Sequence, residues 1–173
     1  MQFKIVATLF LASVASAADI IGWTGSGCGG TSLACRGIQE NICCNFNMNV
    51  RSVRWTLPAS SRGIGYAGNS CRSTSSTPVQ GAKSAACFNY AWNLRSAKWI
   101  LGSGSRRRAV VARAAEDDEC QKPNEYSYYS ENKKQMVTKK IPAENADEVL
   151  KWIEDGEWVK IEGLEEVAEG QDL

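Results

Sequence analysis

A duplication within the first hundred positions constrains this chain more than any other feature. Residues 21–28 read I-G-W-T-G-S-G-C, and forty-three positions later residues 64–71 read I-G-Y-A-G-N-S-C, with Cys44 mapping onto Cys87 at the same offset. After one inserted residue, R-S-V-R-W-T-L at 51–57 aligns with R-S-A-K-W-I-L at 95–101. Units that cannot bury their own apolar face alone pack against their copies. Each unit is about forty residues of short apolar bursts between glycine-rich turns, which suits four strands rather than a helical pair. In the first unit the strands are expected at 20–24, 31–36, 41–46 and 50–57, where Val53 and Trp55 alternate with Arg54 as a half-buried strand requires. Two such units predict an all-β sandwich with Greek-key connections.

The cysteines point to an oxidising compartment. Residues 1–17 carry Lys4, an apolar run and the small-residue exit Ala15-Ser16-Ala17, the pattern of a signal peptide cleaved before Ala18 or Asp19. This uncharged stretch is short of the ~20 apolar residues that span a bilayer, and no later segment is apolar enough to do so. The expected product is secreted, and its thiols meet oxidant. Cys28, Cys35, Cys43, Cys44, Cys71 and Cys87 fall in the duplicated region, and Cys120 beyond it. If the units are equivalent, Cys28 pairs with Cys44 and Cys71 with Cys87. Cys35, Cys43 and Cys120 then supply one further bridge and one remaining thiol. A zinc or redox site at Cys43-Cys44 lacks C-x-x-C spacing.

An aromatic, a glycine-turn hairpin and, some twenty residues on, a serine before alternating apolar positions recur in both units: Trp23, Cys28-Gly29-Gly30 and Ser52-Val53-Arg54-Trp55, then Tyr66, Cys71-Arg72-Ser73 and Ser96-Ala97-Lys98-Trp99. This pattern resembles the Greek-key motif of the βγ-crystallin superfamily, including its small cysteine-rich secreted microbial members such as killer-toxin-like proteins. The resemblance covers about 19–101 and implies a double Greek-key sandwich. Cysteine stands where the superfamily has an aromatic, and Ser73 where it has glycine. Calcium-binding members carry Asn/Asp-Asn/Asp-x-x-Ser/Thr-Ser. Here N-M-N-V-R-S (47–52) and A-W-N-L-R-S (91–96) put Arg51 and Arg95, fixed positive charges, in place of a ligand. Neither metal nor cofactor is expected.

Charge divides the mature chain. Residues 18–105 sum to +6, with Asp19 and Glu40 the acids, and residues 114–173 sum to −10. Gly102-Ser103-Gly104-Ser105 precedes Arg106, Arg107 and Arg108, so 102–115 reads as a basic linker between a duplicated domain (18–101) and an acidic C-terminal segment (116–173). In that segment 123–142 predicts a hairpin bending at 131–134. Residues 143–155 predict a helix with Ala146, Val149, Leu150 and Ile153 on one face, and 157–161 a strand, a small α+β (ββαβ-like) unit. The arginine triplet is a candidate processing site, whose cleavage would free the basic domain from an acidic neutralising partner.

Without histidine, the common acid-base and nucleophilic dyads are closed, and a two-carboxylate glycosidase would have to use Asp19 and Glu40, which no pocket motif surrounds. A non-enzymatic role is expected. Arg51, Arg54, Arg62, Arg72, Lys83, Arg95 and Lys98 form the candidate anion-binding surface, with Arg54 beside Trp55 and Lys98 beside Trp99. The bland alternative is ordinary solvated charge. For a secreted protein the accessible anions are membranes and acidic wall polymers, not nucleic acid. Antimicrobial or toxin-like action on cell envelopes follows as the expectation. The alternative is a non-toxic interaction module or effector that binds a host or cell-wall component.

Overall fold

The computed structural model describes residues 17–72, 76–80, 87–102 and 120–168, with backbone alone for 76–80. The fold is mostly β. Strands β1 (Ala17–Trp23), β2 (Ser32–Gln39), β3 (Cys44–Thr56), β4 (Ser61–Tyr66), β5 (Ser76–Gln80), β6 (Cys87–Leu101), β7 (Glu125–Ser130) and β8 (Gln135–Lys140) are followed by the short helices α1 (Ala146–Asp155) and α2 (Trp158–Glu162). The strands pair antiparallel in the order β5-β4-β6-β3-β1-β2-β7-β8.

Two long strands carry the duplication. The segments expected as separate strands at 41–46 and 50–57 run together as β3, and β6 is its copy. Their ladder shifts register between Asn45 and Val50. Asn47, inside that interruption, has φ 56°, a left-handed conformation that asparagine tolerates better than most side chains. β1 pairs with the second half of β3, from Asp19↔Thr56 to Trp23↔Ser52, and β4 with the second half of β6, from Ser61↔Leu101 to Tyr66↔Ser96. The first halves are exchanged: Cys44 of β3 lies opposite Ala97, and Cys87 of β6 opposite Arg54. Each repeat therefore completes the other's strand array.

Alternation fills the interior as the sequence predicts. Val53 and Trp55 are buried while Arg54 is half-buried, and Ala97 and Trp99 are buried while Lys98 is half-buried. Trp99 anchors itself through Nε1, which donates to the Ile38 carbonyl at 2.9 Å. Equivalent glycines make room for the core. A Cβ at Gly22 would meet Val50 and Phe46 at 2.8 and 2.9 Å, and one at Gly65 would overlap the Leu94 side chain.

The disulfides correct the expected pairing. Cys28 bonds Cys87, Cys43 bonds Cys71, and Cys35 bonds Cys44. The half-strand exchange is the reason. It places the start of β6 beside the turn of the first repeat, so Cys28 meets the second repeat's cysteine and Cys71 meets the first's. Cys43, not Cys44, is the counterpart of Cys87, at the same forty-four-residue offset that relates Arg51 to Arg95. The insertion between the repeats thus lies before Cys43. Cys120 is a free thiol.

The C-terminal segment extends the sheet. β7 pairs with β2 through Ser32↔Ser127, Leu33↔Tyr126 and Ala34↔Glu125, and β7 and β8 form a hairpin turning at 131–134. Gln121 precedes it as a splint, its N–H donating to the Cys43 carbonyl and its carbonyl accepting from Asn45 N–H. Tyr126, Tyr128, Val137, Ile141, Val149 and Ile161 belong to one core with the duplicated region. Gly156, left-handed at φ 70°, ends α1. Residues expected as a strand at 157–161 form α2 instead. The edge of β8 is covered by the segment after α2, where Lys140 N–H donates to the Glu165 carbonyl and Val167 N–H to the Thr138 carbonyl. Lys139 is buried and donates to the carbonyls of Glu162 and Leu164, which tie α2 to the hairpin.

Candidate binding surface

The two turns that follow β1 and β4 are built alike up to their cysteines, and they set where the charged side chains lie. In the first, residues 26–28 form a single 3-10 turn with Gly27 and Cys28 at φ 66° and 57°. In the second, 69–71 do the same with Ser70 and Cys71 at φ 59° and 54°. Each turn is locked by a fully buried serine on a long strand. Ser52 Oγ accepts from Cys28 N–H at 3.0 Å and donates to the Gly25 carbonyl at 2.6 Å. Ser96 Oγ accepts from Cys71 N–H at 2.9 Å and donates to the Gly68 carbonyl at 2.6 Å.

Gly63, Gly65, Ala97 and Trp99 face the core, so Arg62, Ile64 and Tyr66 of β4 and Lys98 and Ile100 of β6 share the opposite face. The register sets Arg62 against Ile100 and Ile64 against Lys98. Lys98 Nζ stands 6.0 Å from the centroid of the Tyr66 ring, at the outer limit of a cation–π contact. Burial pushes the Tyr66 phenol above its ordinary value. Arg62 is exposed.

The other cations lie elsewhere. Arg54 occupies the equivalent face of the first repeat, across from Ile21 and Cys87. Arg95 is fixed between the repeats: Nε donates to Asn69 Oδ1 at 3.1 Å and Nη2 to the Asn47 carbonyl at 3.2 Å. Its guanidinium thus holds the kind of neutral oxygens that a hard cation would take. Arg51, on β3, and Arg72, just after the second turn, are exposed and apart from that face. Lys83 and the Arg106-Arg107-Arg108 triplet lie outside the described residues, as does the signal segment up to residue 16. The β4–β6 register therefore brings Arg62 and Lys98 onto one face, and the fold distributes the remainder. Tyr66, Ile64 and Ile100 were missed as members of this face, although the repeat makes Tyr66 the counterpart of Trp23.

The carboxylates are engaged structurally. Asp19 pairs with Arg36 at 3.2 Å and accepts from Gly37 N–H, and Glu40 accepts from Leu101 N–H at 2.9 Å. Arg36 also pairs with Glu125 at 2.9 Å, joining the basic region to the C-terminal segment. Among the described residues, no three Cys, Asp or Glu side chains are grouped to hold a metal ion, and no helix is long and apolar enough to cross a membrane.

A family model described as the ARB_05566_N N-terminal domain matches residues 19–124, more than half of the chain. The chain belongs to this family. The matched span holds both repeats, all three disulfides and the Arg62–Lys98 face, and it ends one residue before β7. No curated protein and no solved structure matches the chain.

Proposed function

We propose that this is a secreted, non-catalytic protein whose duplicated region is a βγ-crystallin-like double Greek key and whose Arg62–Lys98 face engages anionic polymers of cell envelopes, with antimicrobial or toxin-like effect. The exchanged half-strands and the paired serine locks support the fold reading, and three disulfides suit an oxidising compartment. One observation carries the function: two cations, an aromatic ring and two aliphatic side chains share one strand-borne face, a combination suited to an anion with an apolar body. The engagement of Asp19 and Glu40 in ion-pair and backbone contacts supports binding rather than hydrolysis.

The test uses the purified full-length secreted protein on yeast and bacterial cells at low and high salt. Dose-dependent killing that weakens with salt, and that falls about tenfold in the Arg62→Ala/Lys98→Ala variant, is the expected result. Saturable binding to cells without killing would favour the interaction-module reading. No association with cells at low salt would end both.

A further inference from the structure

The bend of β3 and helix α1 enclose an open groove of about 840 Å³, within the range of small-molecule sites. One wall is the interrupted stretch of β3. Asn47 and Asn49 are exposed there, and their carboxamides have no hydrogen-bond partner among the described residues. The facing wall is α1, which presents Lys151, Glu154 and Asp155, exposed and without ion-pair partners among the described residues. Arg95 lines the groove as well, and Asp147, already paired with Lys122 at 2.6 Å, also borders it. The half-buried side chains of Met48 and Ile153 give it an apolar strip.

We infer that this groove binds a short neutral oligosaccharide. Each free carboxamide offers a donor and an acceptor, and each free carboxylate accepts, which matches sugar hydroxyls that both donate and accept. Met48 and Ile153 suit the C–H face of a pyranose ring. Two cationic and three anionic side chains line the groove, so it carries no field favouring a polyanion, unlike the Arg62–Lys98 face. Phosphorylated ligands would meet Glu154 and Asp155 as unpaired like charges. The inference does not depend on the proposed envelope activity, because the two surfaces share no residue.

The experiment titrates the full-length secreted protein with trimers of β-1,4-linked N-acetylglucosamine and β-1,3-linked glucose, beside trigalacturonate and trilysine, by calorimetry and amide chemical shifts. At least one neutral trimer is expected to bind saturably at roughly millimolar or tighter. Asn49→Ala/Glu154→Ala, two exposed positions, should weaken it at least tenfold with disulfides and circular dichroism unchanged. Arg62→Ala/Lys98→Ala should leave it unaltered, whether or not that variant loses activity on cells. The inference is overturned if neither neutral trimer binds at about 10 mM, if binding survives the groove variant, or if trigalacturonate or trilysine alone binds there.

Discussion

The two repeats share a turn, a serine lock and a buried tryptophan, yet they differ wherever the chain departs from their common pattern. Arg51 and Arg95 hold equivalent positions. Arg95 reaches Asn69 Oδ1, whereas the counterpart of Asn69 in the first repeat is Ser26, whose side chain is one atom group shorter, and Arg51 extends into solvent. Cys44, bonded to Cys35, corresponds to Phe88, which is 36% exposed. The first repeat also receives β7 on its β2 edge. Equivalent hydrogen-bond geometry thus preserves the fold, while single side-chain changes decide which copy is braced and which face stays open.

The largest effect separates bridges between repeats from the bridge within one. In the chain-entropy account, closing the 59- and 28-residue separations of Cys28–Cys87 and Cys43–Cys71 stabilises by about 4 and 3.5 kcal/mol, and the 9-residue Cys35–Cys44 by about 2.5 kcal/mol. Replacing all four inter-repeat cysteines with alanine should therefore remove more than half of a typical domain stability of roughly 5–15 kcal/mol. Cys35→Ala/Cys44→Ala should leave a cooperative fold. Denaturant midpoints at constant slope check this, and an equal loss in the two variants would break the comparison.

A smaller effect tests equivalence itself. Ser52→Ala and Ser96→Ala each strand a half-buried cysteine N–H and a glycine carbonyl, at about 1–2 kcal/mol apiece. A difference above about 1 kcal/mol between them, measured by urea unfolding, would show that the two locks are not equivalent in energy. The smallest effect concerns the arginines: Arg95→Ala should cost about 1 kcal/mol and Arg51→Ala less than about 0.5 kcal/mol, and matched values would deny the Asn69 contact any weight.

The strongly periodic features were legible in the sequence. The repeat, the alternation of Val53, Arg54 and Trp55, the hairpin at 123–142 and the helical face of Ala146, Val149 and Leu150 all rest on spacing that backbone geometry enforces. Residues 157–161 were misread because five residues with three apolar positions satisfy strand and helix alike, and after Gly156 ends α1 the chain starts a second helix. The disulfide pairing was illegible because adjacent Cys43 and Cys44 fit two offsets, and only the strand exchange distinguishes them. The scatter of the cations was equally hidden, since face and turn position depend on register. The groove combines β3 with a helix a hundred residues away, a juxtaposition that no local spacing encodes.

The crossed bridges also impose an order on the chain as it leaves the ribosome. Synthesis delivers Cys28, Cys35, Cys43 and Cys44 well before their neighbours Cys71 and Cys87 exist. Of the native bonds, Cys35–Cys44 alone has both sulfurs present at that stage. Cys28 and Cys43 must wait unpaired until their partners exist, and Cys28 has Cys35, Cys43 and Cys44 within sixteen residues as wrong partners. The Cys35–Cys44 bond, which the second repeat lacks, takes two of those partners out of the competition and leaves Cys43 alone to be kept from Cys28 until Cys71 and Cys87 arrive. Once formed, the extra disulfide of the first repeat cuts the wrong partners open to Cys28 from three to one.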